Sequence, residues 1–122
     1  MSGVLHELGL DQGEDRVLLI EPPDAVLAEA GRVSPRPAVA SSVHTARPAR
    51  RIVWWPEPDT FEPGTLSRLR WLAVASGAVL WVIADAAAGL DGESVAERLR
   101  AAGFATERKP LAAGEAVRAA PR

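Results

Sequence analysis

Three short, unbroken apolar runs constrain this chain more than any other feature: residues 16–21 (RVLLIE), 51–55 (RIVWW) and 78–84 (AVLWVIA). A strand that is apolar at every position, not only at alternate ones, suits burial on both faces. Sheets buried on both faces are typically parallel ones covered by helices on either side. The segments between the runs fit such a sheet. Pro22-Pro23 stops the first run. Pro23 at a first helical position, followed by DAVLAEA, predicts a short helix that ends at Gly31, with Asp24 in the first turn where the helix dipole favours negative charge. Pro56 and Pro58 stop the second run. Residues 64–76 then place Leu66, Leu69, Leu72, Ala73 and Ser76 at helical spacing, with Thr65 as the expected cap and Gly77 as the stop. After the third run, Asp91 is positioned to cap a helix with Glu93 in its first turn, Val95, Leu99 and Ala102 on its inner face, and Gly103 at its end.

The remaining segments are less regular. Val4, Leu5 and Leu8 have helical spacing before Gly9, which predicts a leader helix over residues 4–10, and Gln12 to Asp15 reads as a polar turn. Residues 37–45 (PAVASSVHT) read as a weak strand with Val39 and Val43 partly sharing a face. Residues 104–109 and 115–120, joined by PLAAG, predict two antiparallel strands in a hairpin. The order helix, βα, β, βα, βα, hairpin predicts an α/β fold: a three-layer, mostly parallel sheet with right-handed crossovers and a C-terminal antiparallel hairpin. At 122 residues the chain is read as one domain, with residues 1–15 as leader helix and turn.

Charge and composition exclude several function classes. A net charge of −2 gives no global electrostatic footprint for nucleic acid. The absence of cysteine removes disulfides, thiolate metal sites and thiol nucleophiles, and fits a reducing cytoplasm. The start of the chain has neither a basic region nor an apolar signal core. Residues 71–84 (WLAVASGAVLWVIA) are fewer than the roughly 20 apolar residues a bilayer core requires. Ser76-Gly77 also divides them into a helix end and a strand start, so no membrane span is expected.

The segments LGLDQGEDRVLLIEPPDAVLAEAG, RIVWWPEPD, GAVLWVIAD and the final GEAVRAAPR resemble a bacterial family, domain of unknown function 3052, over nearly the whole chain. The resemblance implies a shrunken methyltransferase-like Rossmann domain: a leader helix ending in LG, a first strand, and a proline where the methyltransferase glycine loop would start. It implies no agreed activity. In methyltransferases the first strand typically ends in an acid followed by alternating glycines. Here Glu21 stands at the acid, and Pro22, Pro23, Asp24 and Ala25 replace the glycines. Glycine in such a bend supplies positive φ and lets the backbone approach a ligand, whereas proline locks φ and lacks an N–H. No acidic residue ends the second strand to grip a ribose; Ser41, Ser42, His44 and Thr45 stand there. No cofactor is therefore expected, with S-adenosylmethionine as the alternative.

Ligands of open α/β sheets bind at the carboxyl ends of the strands, near the switch in strand order. Glu21, Glu57, Asp59 and Asp85 follow strands at that edge, with Asp24 close behind Glu21, and these five are the candidate ligand-binding residues. Converging carboxylates could bind a cation or raise one another's pKa. Acids in such loops equally cap helices or face water, and no metal-ligand spacing accompanies them. His6 and His44 each stand alone, and Ser41-Ser42 lacks the glycines of a nucleophile elbow, so no catalytic residue is assigned. Arg47, Arg50 and Arg51 precede a strand and fall at the opposite, amino edge. Of the four tryptophans, adjacent Trp54 and Trp55 must face opposite sides of the sheet, Trp81 is expected in a strand covered on both sides, and each buried indole N–H should find a partner. Trp71 lies off the leucine stripe, where it could reach another protein. The expectation is a non-catalytic Rossmann-like domain acting through protein contacts, including a homo-oligomer, or through a small regulatory ligand. The alternative is a minimal or degenerate S-adenosylmethionine-dependent methyltransferase or nucleotide-binding enzyme.

Overall fold

A computed structural model describes residues 3–10, 16–33, 36–112 and 114–122. Its elements are α1 (Val4–Glu7), β1 (Val17–Ile20), α2 (Asp24–Ala30), β2 (Ala38–Ala40), β3 (Arg51–Trp54), α3 (Pro63–Ser76), β4 (Val79–Ala84), α4 (Gly92–Ala101), β5 (Phe104–Leu111) and β6 (Gly114–Pro121). The strands form one six-stranded mixed sheet in the order β2-β1-β3-β4-β6-β5. β2, β1, β3 and β4 are mutually parallel, and β6 enters antiparallel between β4 and β5. The chain is thus α/β, mostly parallel, with an antiparallel C-terminal pair. The turn expected over Gln12 to Asp15 lies outside the described residues.

The alternation of strand side chains sorts the core into two layers. Leu18, Ile20, Ile52, Trp54, Leu80 and Val82 meet α3 and α4 on one face. Val17, Leu19, Val53 and Ile83 meet α1 and α2 on the other. All four β1 residues are buried, as an unbroken apolar run requires. From β1 the chain moves outward to β2, then returns across β1 to β3 and β4. Crossovers of one hand in opposite directions place α2 and α3 on opposite faces, and the strand order switches between β1 and β3.

The α1–α2 layer is thin, and long-range contacts hold it. The backbone N–H groups of Leu5 and His6 donate to the Glu29 carboxylate at 3.2 and 3.1 Å, which satisfies the start of α1 from a neighbouring helix. A Cβ on Gly3 would stand 2.2 Å from that carboxylate, so the close approach depends on glycine there. At the other end, Lys109 Nζ donates to the Glu7 carbonyl and the Ala112 N–H to the Glu7 carboxylate. Leu5, fully buried, and Leu10 then cover the sheet.

Several local expectations need correction. Pro23 is the residue before α2, not its first residue, because the missing N–H matters least just outside the helix. Thr65 does not cap α3: Pro63 opens the helix and Thr65 is buried within its first turn. The weak strand over 37–45 shrinks to Ala38–Ala40, because Ser42 accepts from the Thr45 N–H and winds Val43–Thr45 into a 3₁₀ turn. Val39 and Val43 consequently part company: Val43 is buried, while Val39 is exposed on the edge strand. The hairpin strands run longer than 104–109 and 115–120: β5 continues to Leu111, and β6 begins at Gly114 and ends at Pro121. Trp81 is half-buried and Val79 exposed, since their half of the second face has no helix of its own. Gly77, at φ 59, closes α3 in the left-handed region and separates it from β4, which divides the 71–84 run as expected. Among the described residues no helix is long and apolar enough to cross a membrane.

Candidate functional site

The edge at the carboxyl ends of β1 and β3 is built by two loops. The ladder runs one step past both strands, with Glu21 N–H on the Ala40 carbonyl at 3.0 Å and Trp55 N–H on the Ile20 carbonyl at 3.1 Å. Immediately beyond, Glu21 takes φ 55 and Pro22-Pro23 leads into α2. A glutamate in left-handed backbone is unfavourable by roughly 1–2 kcal/mol, so the neighbouring ladder and prolines must hold it there. Neither proline offers an amide to a ligand.

The β3 loop folds back on itself. The Glu57 carbonyl accepts from the Thr60 and Phe61 N–H groups, and Thr60 Oγ1 bonds both the Glu57 N–H and its carbonyl. The turn seats Phe61 against Trp54, with ring centroids 5.6 Å apart, and sets Glu57 and Asp59 toward Glu21. The Glu21 carboxyl is raised above its ordinary value of 4.5, first by partial burial and then by the charges of Glu57 and Asp59. Three of the five acids singled out in the sequence therefore interact.

Asp85 and Asp24 do not join them. Asp85 Oδ1 accepts from the Ala87 N–H at 3.1 Å and caps a short 3₁₀ turn. Asp24 sits exposed in the first turn of α2. Among the described residues no group of three or more histidine, aspartate or glutamate side chains is arranged to hold a metal ion. Ser42 serves as a turn cap. Arg50 and Arg51 are at the amino edge, where the Arg50 carbonyl accepts from Val79 N–H.

A second polar cluster joins the Asp91 cap expected from the sequence to an ion pair that has no signal there. Asp91 caps α4 through a 2.8 Å bond from the Ser94 N–H, which together with the Ser94 side chain depresses its carboxyl below 3.8. Beside it, Arg108 makes a two-pronged bond to Glu115 at 2.5 and 3.0 Å. That bond lowers the Glu115 carboxyl below 4.5. With Gly92, whose Cβ position Glu115 occupies, these groups line a groove of about 290 Å³. Arg108 faces Val117 across the hairpin, so Glu115 is its diagonal neighbour, a pairing visible only once the register is known.

The two clusters give opposite pH dependences. A carboxylate with a raised folded pKa binds its proton more tightly in the folded state. Glu21 therefore lowers stability as pH rises from 4.5 through its raised value, after which its effect is constant. Asp91 and Glu115 stabilise above their ordinary values, and that contribution is lost as pH falls through their depressed ones. Glu21→Gln is expected to remove only the loss above 4.5. Urea unfolding of both proteins across that window should show a difference that grows with pH and then levels; a difference independent of pH contradicts the cluster.

No protein-family model matches this chain, and no curated protein matches it in sequence.

Proposed function

We propose that this chain is a Rossmann-like, methyltransferase-like domain with no chemistry of its own, which works by contact with another protein through the outer face of α3. The observation that carries this reading is the pair Trp71 and Val74, one turn apart on that face and 53% and 57% exposed. Core packing does not account for a tryptophan more than half in water, and tryptophan is the residue most often found at binding hot spots. The bend after β1 supports the non-catalytic part, because Glu21 and Pro22-Pro23 stand where a nucleoside cradle would need free amides. The sheet order, with β6 antiparallel between β4 and β5, fits the shrunken methyltransferase-like domain implied by the resemblance to family 3052.

A second reading, a small regulatory ligand or nucleoside at the carboxyl edge, is favoured by the meeting of Glu21 with Glu57 and Asp59. Thermal unfolding with S-adenosylmethionine, S-adenosylhomocysteine, ATP or NAD decides between the two. A ligand at about 100 times its Kd stabilises by about 2.7 kcal/mol, a shift of several degrees for a domain of this size. The expected result is no shift at about 1 mM ligand. A shift that Glu21→Ala abolishes would replace the contact reading with the ligand one.

A further inference from the structure

The outer face of α3 carries a chemistry that narrows the class of its partner, an inference that rests on α3 being the contact face. Between the first half of α3 and the end of α4 lies a groove of about 430 Å³. Leu66 forms its floor, Pro63, Ser67, Ala101 and Ala102 its sides, and Arg98 stands on its rim. Side walls this short leave room for a leucine- or phenylalanine-sized side chain. Helical spacing carries the same row onward along α3, through Pro63, Ser67, Arg70 and Val74, with Trp71 beside it. The groove and the exposed pair therefore form one strip.

Beyond Glu62 at its start, the charges along the strip are positive. Arg68 and Arg70 are the only charged residues of α3. Arg68 lies 4.3 Å from the Trp71 ring centroid, a cation–π stack. Arg70 donates to the Gly103 and Arg122 carbonyls. Arg98 donates to the Phe61 carbonyl and lies over the Phe61 ring at 4.5 Å. A ring thus holds the Arg68 guanidinium, and a ring and the Phe61 carbonyl hold that of Arg98, and neither is ion-paired among the described residues. Arg68 and Arg98 keep their charges uncompensated, with further N–H donors to offer, in a chain whose net charge is −2.

We propose that this strip receives an acidic amphipathic helix of a partner protein. Its apolar residues would fill the groove and cover Trp71 and Val74, and its flanking aspartates or glutamates would meet Arg68 and Arg98. An apolar row along a helix, read at i, i+4 and i+7, is how a groove of this kind selects a helix. A second copy of the chain fits less well, since a two-fold contact along α3 would set Arg68 against its own counterpart.

The test uses the full chain and a fluorescein-labelled peptide with leucines at helical spacing and glutamate elsewhere, beside a twin with lysine for every glutamate. Fluorescence anisotropy should show the glutamate peptide binding, more weakly as salt rises, and the lysine twin not binding. Trp71→Ala and Arg68→Gln should each weaken binding, Trp71→Ala by about 10-fold or more. Urea midpoints like the wild type's confirm that both variants fold. If the lysine twin binds equally well and Trp71→Ala abolishes it, the acidic chemistry is wrong and the contact face stands. If neither peptide binds up to about 1 mM, both readings fall. Binding of phosphatidylserine vesicles but not peptide, or a dimer in light scattering that Trp71→Ala dissolves, overturns the proposal in favour of a membrane or a second copy.

Discussion

Trp54→Ala is expected to lower the folding free energy by about 3–5 kcal/mol, a large share of the roughly 5–15 kcal/mol that holds a domain together. Trp54 ends β3, is fully buried, and packs against Phe61 between the sheet and the loop that carries Glu57 and Asp59. Removing it opens a cavity under that loop. Trp54→Phe should behave differently. The indole Nε1 is buried with no hydrogen-bond partner, and an unsatisfied buried donor is unfavourable by about 1–3 kcal/mol. Phenylalanine deletes that donor while keeping most of the ring, so the lost packing and the relieved desolvation nearly offset, to within about 1 kcal/mol. Urea unfolding of the three proteins checks this. A loss for Trp54→Phe well above about 1 kcal/mol would mean that the indole N–H is satisfied in solution.

Leu5→Ala is expected to remove about 2–5 kcal/mol and to unseat α1. A helix of four residues has no stability of its own, because so few hydrogen bonds cannot offset nucleation. It exists because Leu5 is buried against the sheet and because Glu29 and Lys109 grip its ends. Without the leucine side chain, ordering the segment gains too little, and Leu19, Val53 and Ile83 lose their cover. The variant should bind 8-anilinonaphthalene-1-sulfonate in the absence of urea, with a lower urea midpoint. A loss below about 1 kcal/mol with no dye binding would show that α1 is dispensable to the layer.

Part of the site is legible in the sequence. Glu21, Glu57 and Asp59 can be placed at one edge because each follows a strand, and parallel strands end on the same side. Asp85 follows a strand as well, yet its carboxylate turns to its own backbone, and nothing in its spacing distinguishes it from the others. Ser42 and Thr65 depart from expectation for a related reason: each can serve a local hydrogen bond, and the competition is settled by which backbone N–H groups the fold leaves open. The Arg108–Glu115 pair and the cap that Glu29 lends α1 require strand register and helix placement respectively.

Local chemistry decided where most elements lie. The three apolar runs made strands because β-branched and aromatic side chains pack on a pleated, two-sided surface, and prolines and glycines ended them because their backbones do not continue a ladder or a helix. Only tertiary packing decided that β6 inserts between β4 and β5, that half of the second face has no helix, that Trp54 buries an unpartnered donor, and that Trp71 stays in water. Each of these depends on residues brought together across long stretches of chain, such as Glu7 with Lys109. Such contacts form only when burial gains more than the entropy of closing the loop, a balance that belongs to the whole sheet and not to any single segment.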